Sequence, residues 1–457
     1  MTSSGGRPRW RPPGSRRGRP RPSAVIAAAA AIAALGAGPI ASAAAPHLPG
    51  GSGGAHRGAA AGPAGLPPIR HVFVIMLEDA GFGPAFGSPA PTDSYLGRAL
   101  PSQGALLTQF YSIGHGGPLA YIAAVSGQAP NPATTGSCGT FRPFVVPARF
   151  ARAPLTGDGQ LRGSGCVFPP RIETVGGQLA ARHLSWRAYQ QDMGNDPRRD
   201  GTTSTSSGPA CGHPRVGGPI LANRPERGDS YDLLHDPFVF FDSVIGNPGL
   251  CAHDVVSLRP LGQDLRSVAT TPNYVFISPN SCADGHDYPR CANGGAGGLG
   301  QANRFLSAWV PRIQASPAYR QGGLIIITFD EADGAYGACC GETVSPQLGS
   351  PSHPNVKRPG YLGPGGGRVG AVLLSPYIAP GTRSAVPYNH YAILRTVEEL
   401  FHLPLLGDAR QTLVHRFGQD VFTKWPQARA TRAPAAGTPG LALAASQPWQ
   451  GRQTWAR

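Results

Sequence analysis

The stretch of sequence that constrains the fold most strongly is His71–Asp79, which reads HVFVIMLED. Its part His71–Leu77 is rich in apolar residues that follow one another without alternating polar ones, which is typical of a strand covered on both faces of a sheet. Three later runs share this character: Tyr274–Ile277, Leu324–Phe329 and Val369–Leu374. The four runs together predict a central sheet whose strands are mainly parallel.

Stretches with helical spacing of apolar residues are interleaved with these runs. They are Val175–Ala181, Gln301–Ile313 and Tyr391–Phe401. Strands that alternate with helices predict an α/β domain in which a mainly parallel central sheet has helices on both faces. Residues 130–270 are rich in Gly, Pro and Cys and show few clear elements, so we expect a loop-rich, disulfide-bearing insertion beside the sheet.

The N-terminal segment has the pattern of an export signal. An arginine-rich start is followed by the apolar run Ala24–Ala37 and by Ala41-Ser42-Ala43, a small-residue cleavage pattern. We therefore expect a signal peptide over residues 1–43 and a secreted or cell-envelope protein. An uncleaved membrane anchor is the alternative, although the run is short for a spanning helix. After cleavage we expect no stable membrane span.

Composition divides the rest of the chain into three parts. We expect a flexible Gly/Ala/Pro-rich linker over 44–68, a folded domain over 69–425 and a disordered tail over 426–457. Eight cysteines lie beyond the leader, and an even number in an exported chain favours disulfides. Proximity suggests the pairs Cys138–Cys166, Cys211–Cys251 and Cys282–Cys291, and leaves Cys339 and Cys340 to pair elsewhere or stay free.

The formal net charge of +15 admits an anionic partner such as nucleic acid or a membrane surface. Part of this charge lies in the leader, and no nucleic-acid-binding motif occurs, so we expect no nucleic-acid partner. A basic protein that binds the envelope surface through its arginines remains the weakest of three functional alternatives.

Carboxylates and histidines follow the predicted strands at the points where the strands end. Ligands of open α/β sheets bind beyond the carboxyl ends of the strands, so these side chains are the candidates for chemistry. They are Glu78 and Asp79, Asp284 and His286, Asp330 and Glu331, and His390. Asp, Glu and His in one place are suited to a divalent metal ion that holds a phosphoryl oxygen.

Seven segments in this order resemble the bacterial phosphoesterase family that contains acid phosphatases and phospholipases C, within the alkaline-phosphatase superfamily. They are Ile69–Asp79, Cys166–Pro169, Ser185–Tyr189, His235–Phe238, Pro279–Asp287, Gly323–Gly334 and Tyr388–Phe401. The resemblance covers roughly residues 69–410 and implies an alkaline-phosphatase-like fold. The family's opening strand normally ends Glu-Asn, so Asp79 is a departure that keeps an oxygen ligand.

The resemblance also implies roles for individual residues. The metal ligands would be Glu78, Asp79, Asp330 and Glu331, and the catalytic histidines would be His115, His286 and His390. His235 and Asp284 are candidates for binding the substrate, and a structural role for His235 is equally open. The substrate would be a phosphorylated small molecule or a phospholipid.

The main departure from the family lies at residues 114–121, GHGGPLAY, where the family usually has Gly-His-Pro-Ser-Leu-Pro-Asn-Tyr. The family's serine is the nucleophile that becomes phosphorylated, and Gly117 occupies its position here. Ser112 would need a local rearrangement to substitute. We expect the glycine to leave space for a water that attacks phosphorus directly. The leading interpretation is a metal-dependent hydrolase of phosphate esters, and the alternative is a catalytically impaired relative that binds metal or a phosphorylated ligand.

Overall fold

A computed structural model describes residues 65–87, 94–286, 291–332 and 366–425. All of them belong to one compact unit, Gly58–Arg457. Its strands are β1 His71–Leu77, β2 Ala105–Leu107, β3 Phe110–Tyr111, β4 Trp186–Gln190, β5 Thr203–Thr205, β6 Gly208–Ala210, β7 Val255–Ser257, β8 Tyr274–Ser278, β9 Gly323–Phe329, β10 Ala371–Leu374, β11 Thr382–Ser384 and β12 Tyr388–Asn389.

Ten strands form one sheet in the order β11-β2-β10-β9-β1-β8-β4-β7-β6-β5. The five central strands, from β9 to β7, are parallel to one another. Every residue of β1, β8, β9 and β10 is buried, which shows that both faces of the sheet centre are covered. The predicted α/β class with a parallel centre is therefore confirmed.

The strand β10 differs from the prediction in its direction. It pairs antiparallel with both β9 and β2, so its carboxyl end lies at the edge of the sheet opposite to the ends of β1, β8 and β9. The strand β11 then brings the chain back towards the edge where β1, β8 and β9 end. It runs parallel to β2 and therefore opposite to β10. Tyr388–Asn389 follows and leads into the last helix. His390 thus reaches the site edge through this return and not directly from β10.

The α-helices are α1 Phe82–Phe86, α2 Leu100–Gln103, α3 Leu119–Ser126, α4 Val175–Ala181, α5 Pro197–Asp200, α6 Asp242–Ile245, α7 Pro248–Asp254, α8 Leu261–Asp264, α9 Leu299–Ala315, α10 Pro317–Arg320 and α11 His390–Leu400. The three predicted helices correspond to α4, α9 and α11. Thr174 begins α4 by accepting a hydrogen bond from Gly177 N, and Asn389 begins α11 by accepting one from Tyr391 N.

Residues 130–270 are rich in loops, as predicted, but they also extend the sheet. The strands β4 to β7 come from this region, and β4 lies next to the central strand β8. Alternation in Trp186–Gln190 is weak because both faces of β4 are packed, which explains why the sequence did not reveal it.

Three disulfides join the predicted pairs, Cys138–Cys166, Cys211–Cys251 and Cys282–Cys291. Cys339 and Cys340, the predicted signal peptide and the predicted tail lie outside the described residues. The described domain packs from Leu66, which is buried, and extends to Trp425, whose ring lies against Tyr377. Among the described helices, none has the length and apolarity needed to cross a bilayer.

Candidate functional site

The ends of β1 and β9 place their acidic pairs side by side. Leu77 and Phe329 are register partners in these parallel strands, so Glu78 and Asp330 leave the sheet at the same level. The Asp330 amide donates to Leu77 O (2.9 Å), and Asp330 Oδ1 accepts from the amides of Asp79 (3.2 Å) and Glu331 (2.6 Å). Asp79 has a left-handed backbone with φ of 54°, which turns the chain sharply after Glu78.

The loop after β8 brings a third acidic residue to the same place. Asp284 is fully buried, its carbonyl accepts a hydrogen bond from the Glu78 amide (2.9 Å), and its Oδ1 accepts one from the His286 amide (3.0 Å). The adjacent ends of β1, β8 and β9 therefore carry Glu78, Asp284 and Asp330 into one region, as the predicted parallel sheet requires.

His235 lies between two of these carboxylates. Its Nε2 is 3.2 Å from Glu78 Oε1, and its Nδ1 is 3.7 Å from Asp284 Oδ2. A short turn, Leu233–His235, presents the ring. Asp232 caps this turn at Leu234 N, and the His235 carbonyl accepts a hydrogen bond from Ser278 Oγ at the end of β8 (2.6 Å). One ligand atom each from Glu78, His235 and Asp284 lie within 4.8 Å of one another.

The charges of this region are strongly coupled. Burial alone would lower the pKa of His235, but the carboxylates of Glu78 and Asp232 outweigh it and raise that pKa well above its usual value. Burial raises the pKa of Asp284, and the nearby Glu78 raises it further. The pKa of Asp330 is raised by burial and then by Glu331 and Glu78. Within the described residues, the region thus gathers the carboxyl groups of Glu78, Asp284 and Asp330 around the single imidazole of His235.

Two further histidines pair with the outer members of the acidic pairs. His286 Nε2 is 3.3 Å from Asp79 Oδ2, and His115 Nδ1 is 3.5 Å from Glu331 Oε2. Glu331 Oε2 also accepts a hydrogen bond from the Gly116 amide, which ties the loop before α3 to the end of β9. His286 and Glu331 are partly exposed, whereas His115 is buried.

His390 occupies a different environment from the other predicted histidines. It is fully buried, its Nε2 lies 2.9 Å from Phe329 O, and its ring makes an edge contact with Phe110 (centroids 5.4 Å apart). Burial lowers the pKa of His390 to about 4, so the ring is neutral at physiological pH. Its contacts hold the last residue of β9, next to Asp330.

The structure corrects the expectation that Gly117 leaves room for a water. A Cβ at this position would lie 2.6 Å from Thr134 O and 2.8 Å from Ser137 Cα, so the loop 134–137 occupies the place of a side chain. The backbone of Gly117 is left-handed, with φ of 55°, which strains any other residue. Ser112 is no substitute in this conformation, because it is buried and its hydroxyl contacts the carbonyls of Asp330 and Gly114.

Sequence reasoning missed two residues of this region. Tyr121 stacks on His235 with ring centroids 5.1 Å apart and planes inclined by 7°, and its buried hydroxyl has no hydrogen-bond partner within the described part of the chain. Asp232 lies 4.0 Å from His235 Nε2. Tyr121 matches the tyrosine that ends the family's motif at residues 114–121, and this match could have pointed to it. Asp232 gave no comparable signal.

The donor set fits a divalent cation. Carboxylate oxygens and imidazole nitrogens are the ligands of hydrolytic metal sites, and a cation would favour the charged form of Asp284 and Asp330, whose pKa values burial raises. Cys211, His213 and Cys251 also lie close together, but the two cysteines form a disulfide and are not available as ligands.

Comparisons with known proteins agree with this chemistry. The model of the Phosphoesterase family matches residues 90–404. A phosphate-repressible acid phosphatase of Penicillium chrysogenum is 24% identical over 333 residues, and an acid phosphatase of Aspergillus fumigatus is 24% identical over 342 residues. These alignments cover 73% and 74% of this chain but only 59% and 56% of the two relatives. The chain thus spans somewhat more than half the length of these enzymes.

Solved structures with a similar arrangement were also found. A Vibrio parahaemolyticus protein of the alkaline phosphatase superfamily superposes with a TM-score of 0.40 and 12% identity, over 79% of this chain and 71% of that chain. The lipoteichoic acid synthase LtaP of Listeria monocytogenes gives a TM-score of 0.39 and 9% identity, over 80% and 76% of the two chains.

Proposed function

The chain belongs to the Phosphoesterase family, and from this premise we propose that it is a metal-dependent hydrolase of phosphate esters, similar to acid phosphatases. The observation that supports this most is the group formed by the half-buried Glu78 and the buried His235, Asp284 and Asp330, which we call the strand-end cluster. A divalent ion would stabilise the charged form of carboxyl groups whose pKa values burial raises.

Glu78, His235, Asp284 and Asp330 would hold the ion, with Asp79 and Glu331 assisting. A bound divalent ion would neutralise charge on a phosphoryl group and make water more acidic. In this arrangement His235 and Asp284, which the sequence suggested as substrate-binding residues, would be metal ligands instead. The Asp330 carboxylate stays fixed by two backbone amides, which keeps its orientation without an ion.

The outer histidines supply the groups that move protons. His286 is partly exposed and is oriented by Asp79, so it can protonate the leaving oxygen of an ester. Glu331 orients His115 in the same way, from the other side of the β9 end. His390 is a positioning residue, since it contacts the Phe329 carbonyl and sets the end of β9.

The nucleophile in this proposal is water, because the position of the family serine cannot carry a side chain in the present conformation. A single displacement by water avoids the covalent step that a serine would provide. The same observation favours a second candidate function, in which the site binds a phosphorylated ligand and does not turn it over. Turnover separates the two.

We further propose that the substrate is a phosphorylated small molecule or a phospholipid, and that the protein acts outside the cytosol. The signal-like N-terminus supports export, and so do three disulfides, which persist in oxidising compartments. N-terminal sequencing of the exported fraction should find a start near Ala44.

The test is an assay of the purified protein on aryl phosphate monoesters and diesters, after chelation and after adding back single divalent metals. We expect metal-restored hydrolysis that Asp330→Asn abolishes and Asp264→Asn leaves unchanged, since Asp264 pairs with Arg187 away from the cluster. Metal and phosphate binding without hydrolysis would favour the second candidate. Hydrolysis that survives chelation and Asp330→Asn would contradict the proposal.

A further inference from the structure

The exposed large apolar side chains of the described residues are unevenly distributed. There are five: Val145, Leu155, Val216, Leu221 and Leu413. Val145 and Leu221 are the most exposed, at 63% and 56% of their surface. Scattered exposed apolar residues need no explanation, but a concentration of them on one face indicates an interaction surface.

Hydrogen bonds connect the segments that carry these side chains. Within residues 140–165, Val145 exchanges backbone hydrogen bonds with Ser164, and Leu155 bridges to Leu161. The segment 215–221 joins them, because the Phe141 amide donates to Gly218 O (2.8 Å) and the Gly217 amide donates to Phe141 O (2.7 Å). Gln411, two residues before Leu413, also contacts these segments, since its Nε2 donates to Asp158 Oδ2 (3.0 Å).

Segments 140–165 and 215–221, which we call the arginine loop surface, are also strongly basic. Their charged residues are Arg142, Arg149, Arg152, Arg162 and Arg215 against the single acid Asp158. The Asp158 carboxylate accepts from Thr156 and Gln411. Within the described part of the chain, none of the five arginines forms an ion pair with a carboxylate. The guanidinium carbons of Arg149 and Arg162 lie 4.7 and 5.1 Å from the Phe150 ring centroid.

A groove of about 470 Å³ combines the two properties. Arg142 and Arg149 line it together with Val145, Pro147 and Phe150. Arginines beside protruding aliphatic side chains match an anionic bilayer, because the guanidinium groups meet lipid phosphates while the aliphatic groups enter the apolar boundary. A nucleic acid would use the arginines but would gain little from exposed Val and Leu, since bases stack on aromatic rings.

We propose that the arginine loop surface docks the protein on an anionic phospholipid bilayer. The inference does not depend on hydrolysis, because it rests only on the exposed side chains and their charge. The surface is also connected to the candidate site. Arg142 lines a second groove with Cys138 and Gly136. The neighbouring Thr134 and Ser137 pack on Gly117. A docked protein would therefore hold the Gly117 loop close to the lipid.

Co-sedimentation of the full chain with vesicles tests the proposal. We expect binding to phosphatidylcholine vesicles that contain phosphatidylglycerol and little binding to pure phosphatidylcholine. The triple variant Arg142→Gln, Arg149→Gln, Arg152→Gln should bind about 100-fold more weakly, because each arginine near an anionic surface contributes roughly a factor of five. The double variant Val145→Ser, Leu221→Ser should also bind more weakly, and its remaining binding should be more sensitive to salt.

A matched control removes the same charge elsewhere. Arg266, Arg312 and Arg320 are exposed, and Arg312 stacks on Trp309 much as Arg149 contacts Phe150. Their triple change to Gln should leave vesicle binding within about twofold, because it leaves the docking surface intact. Equal losses in the two triple variants would overturn the proposal. So would binding to single-stranded DNA that is as tight as vesicle binding and unaffected by Val145→Ser, Leu221→Ser.

Discussion

Two groups of buried carboxylates in this domain are compensated in different ways. In the arginine cluster, Arg199 contacts Asp200 Oδ1 (3.1 Å) and Asp229, and its second terminal nitrogen donates to the carbonyls of Arg224 and Tyr231. Burial raises the pKa of Asp200 to about 8, so this carboxyl keeps a proton at neutral pH. One arginine and one proton thus balance two carboxylates, and the cluster needs nothing from outside the chain.

The strand-end cluster has more carboxylates and less positive charge. Glu78, Asp284 and Asp330 share one imidazole, His235, and within the described residues no arginine or lysine pairs with these carboxylates. The comparison suggests that the first cluster serves folding and the second serves a ligand, because within the described residues only the first is built around an arginine, whereas the second gathers three carboxyl groups around one imidazole. The following variants test that distinction.

The largest expected effect on stability belongs to the arginine cluster. Asp229→Asn leaves a buried guanidinium with weaker compensation, so we expect a loss of about 3–5 kcal/mol in the free energy of unfolding. Denaturant titration measures it. Metal content of the folded fraction should not change, and a parallel loss of metal would remove the distinction between the two clusters.

The largest expected effect on function belongs to the strand-end cluster. Glu78→Gln removes a carboxylate that would hold the ion and that contacts His235. Turnover should therefore fall at least about 100-fold, because loss of a residue that only supports a metal ligand already costs roughly 10- to 100-fold. Steady-state kinetics measures it, with circular dichroism as the check of folding. Stability should fall much less than in Asp229→Asn; a larger fall would assign Glu78 to folding instead.

The loss of stability that we expect for Gly117→Ser lies between those of Asp229→Asn and Glu78→Gln. The added side chain meets the backbone of Thr134 and Ser137, so we expect a cost of about 2–3 kcal/mol from strain and crowding. We also expect no covalent intermediate, because the Cβ points at the loop 134–137. Rapid-quench labelling with a phosphorylated substrate is the measurement. A phosphoserine at position 117 would show that this loop rearranges.

The smallest expected change is Tyr121→Phe. It keeps the ring stacked on His235 and removes only the buried hydroxyl, which has no hydrogen-bond partner among the described residues. In our proposal this hydroxyl donates to the bound substrate, so we expect turnover to fall about three- to tenfold with little change in KM, the size of one hydrogen bond. A Phe variant with unchanged turnover would limit Tyr121 to packing.

Much of the fold was predictable because the central strands are buried on both faces. The limits of β1 were predicted to the residue, and α4 was predicted in full from the spacing of its apolar residues. The strands β4 and β7 were not predicted, because short runs in a Gly- and Pro-rich region carry little periodicity. The direction of β10 was missed because pairing direction is set by tertiary contacts and not by the run itself.

The site residues that follow the ends of strands could be predicted from the sequence, and the other site residues could be predicted less well. Glu78, Asp284 and Asp330 converge because parallel strands end at one edge. His235 joins them from a turn fixed by Ser278, a contact that spans 43 residues and leaves no local signal. The packing behind Gly117 could not be foreseen either, since the residues that fill it follow by about twenty positions.

The central claim is that a divalent ion completes the strand-end cluster, and the metal content of the purified protein tests it most directly. Elemental analysis after dialysis against single divalent metals should find one bound ion per chain in the natural protein. Asp330→Asn should lose most of it, while Asp229→Asn keeps it in the folded fraction. A natural protein that retains no divalent metal, or an Asp330→Asn variant with unchanged stoichiometry and an intact fold, would contradict the account.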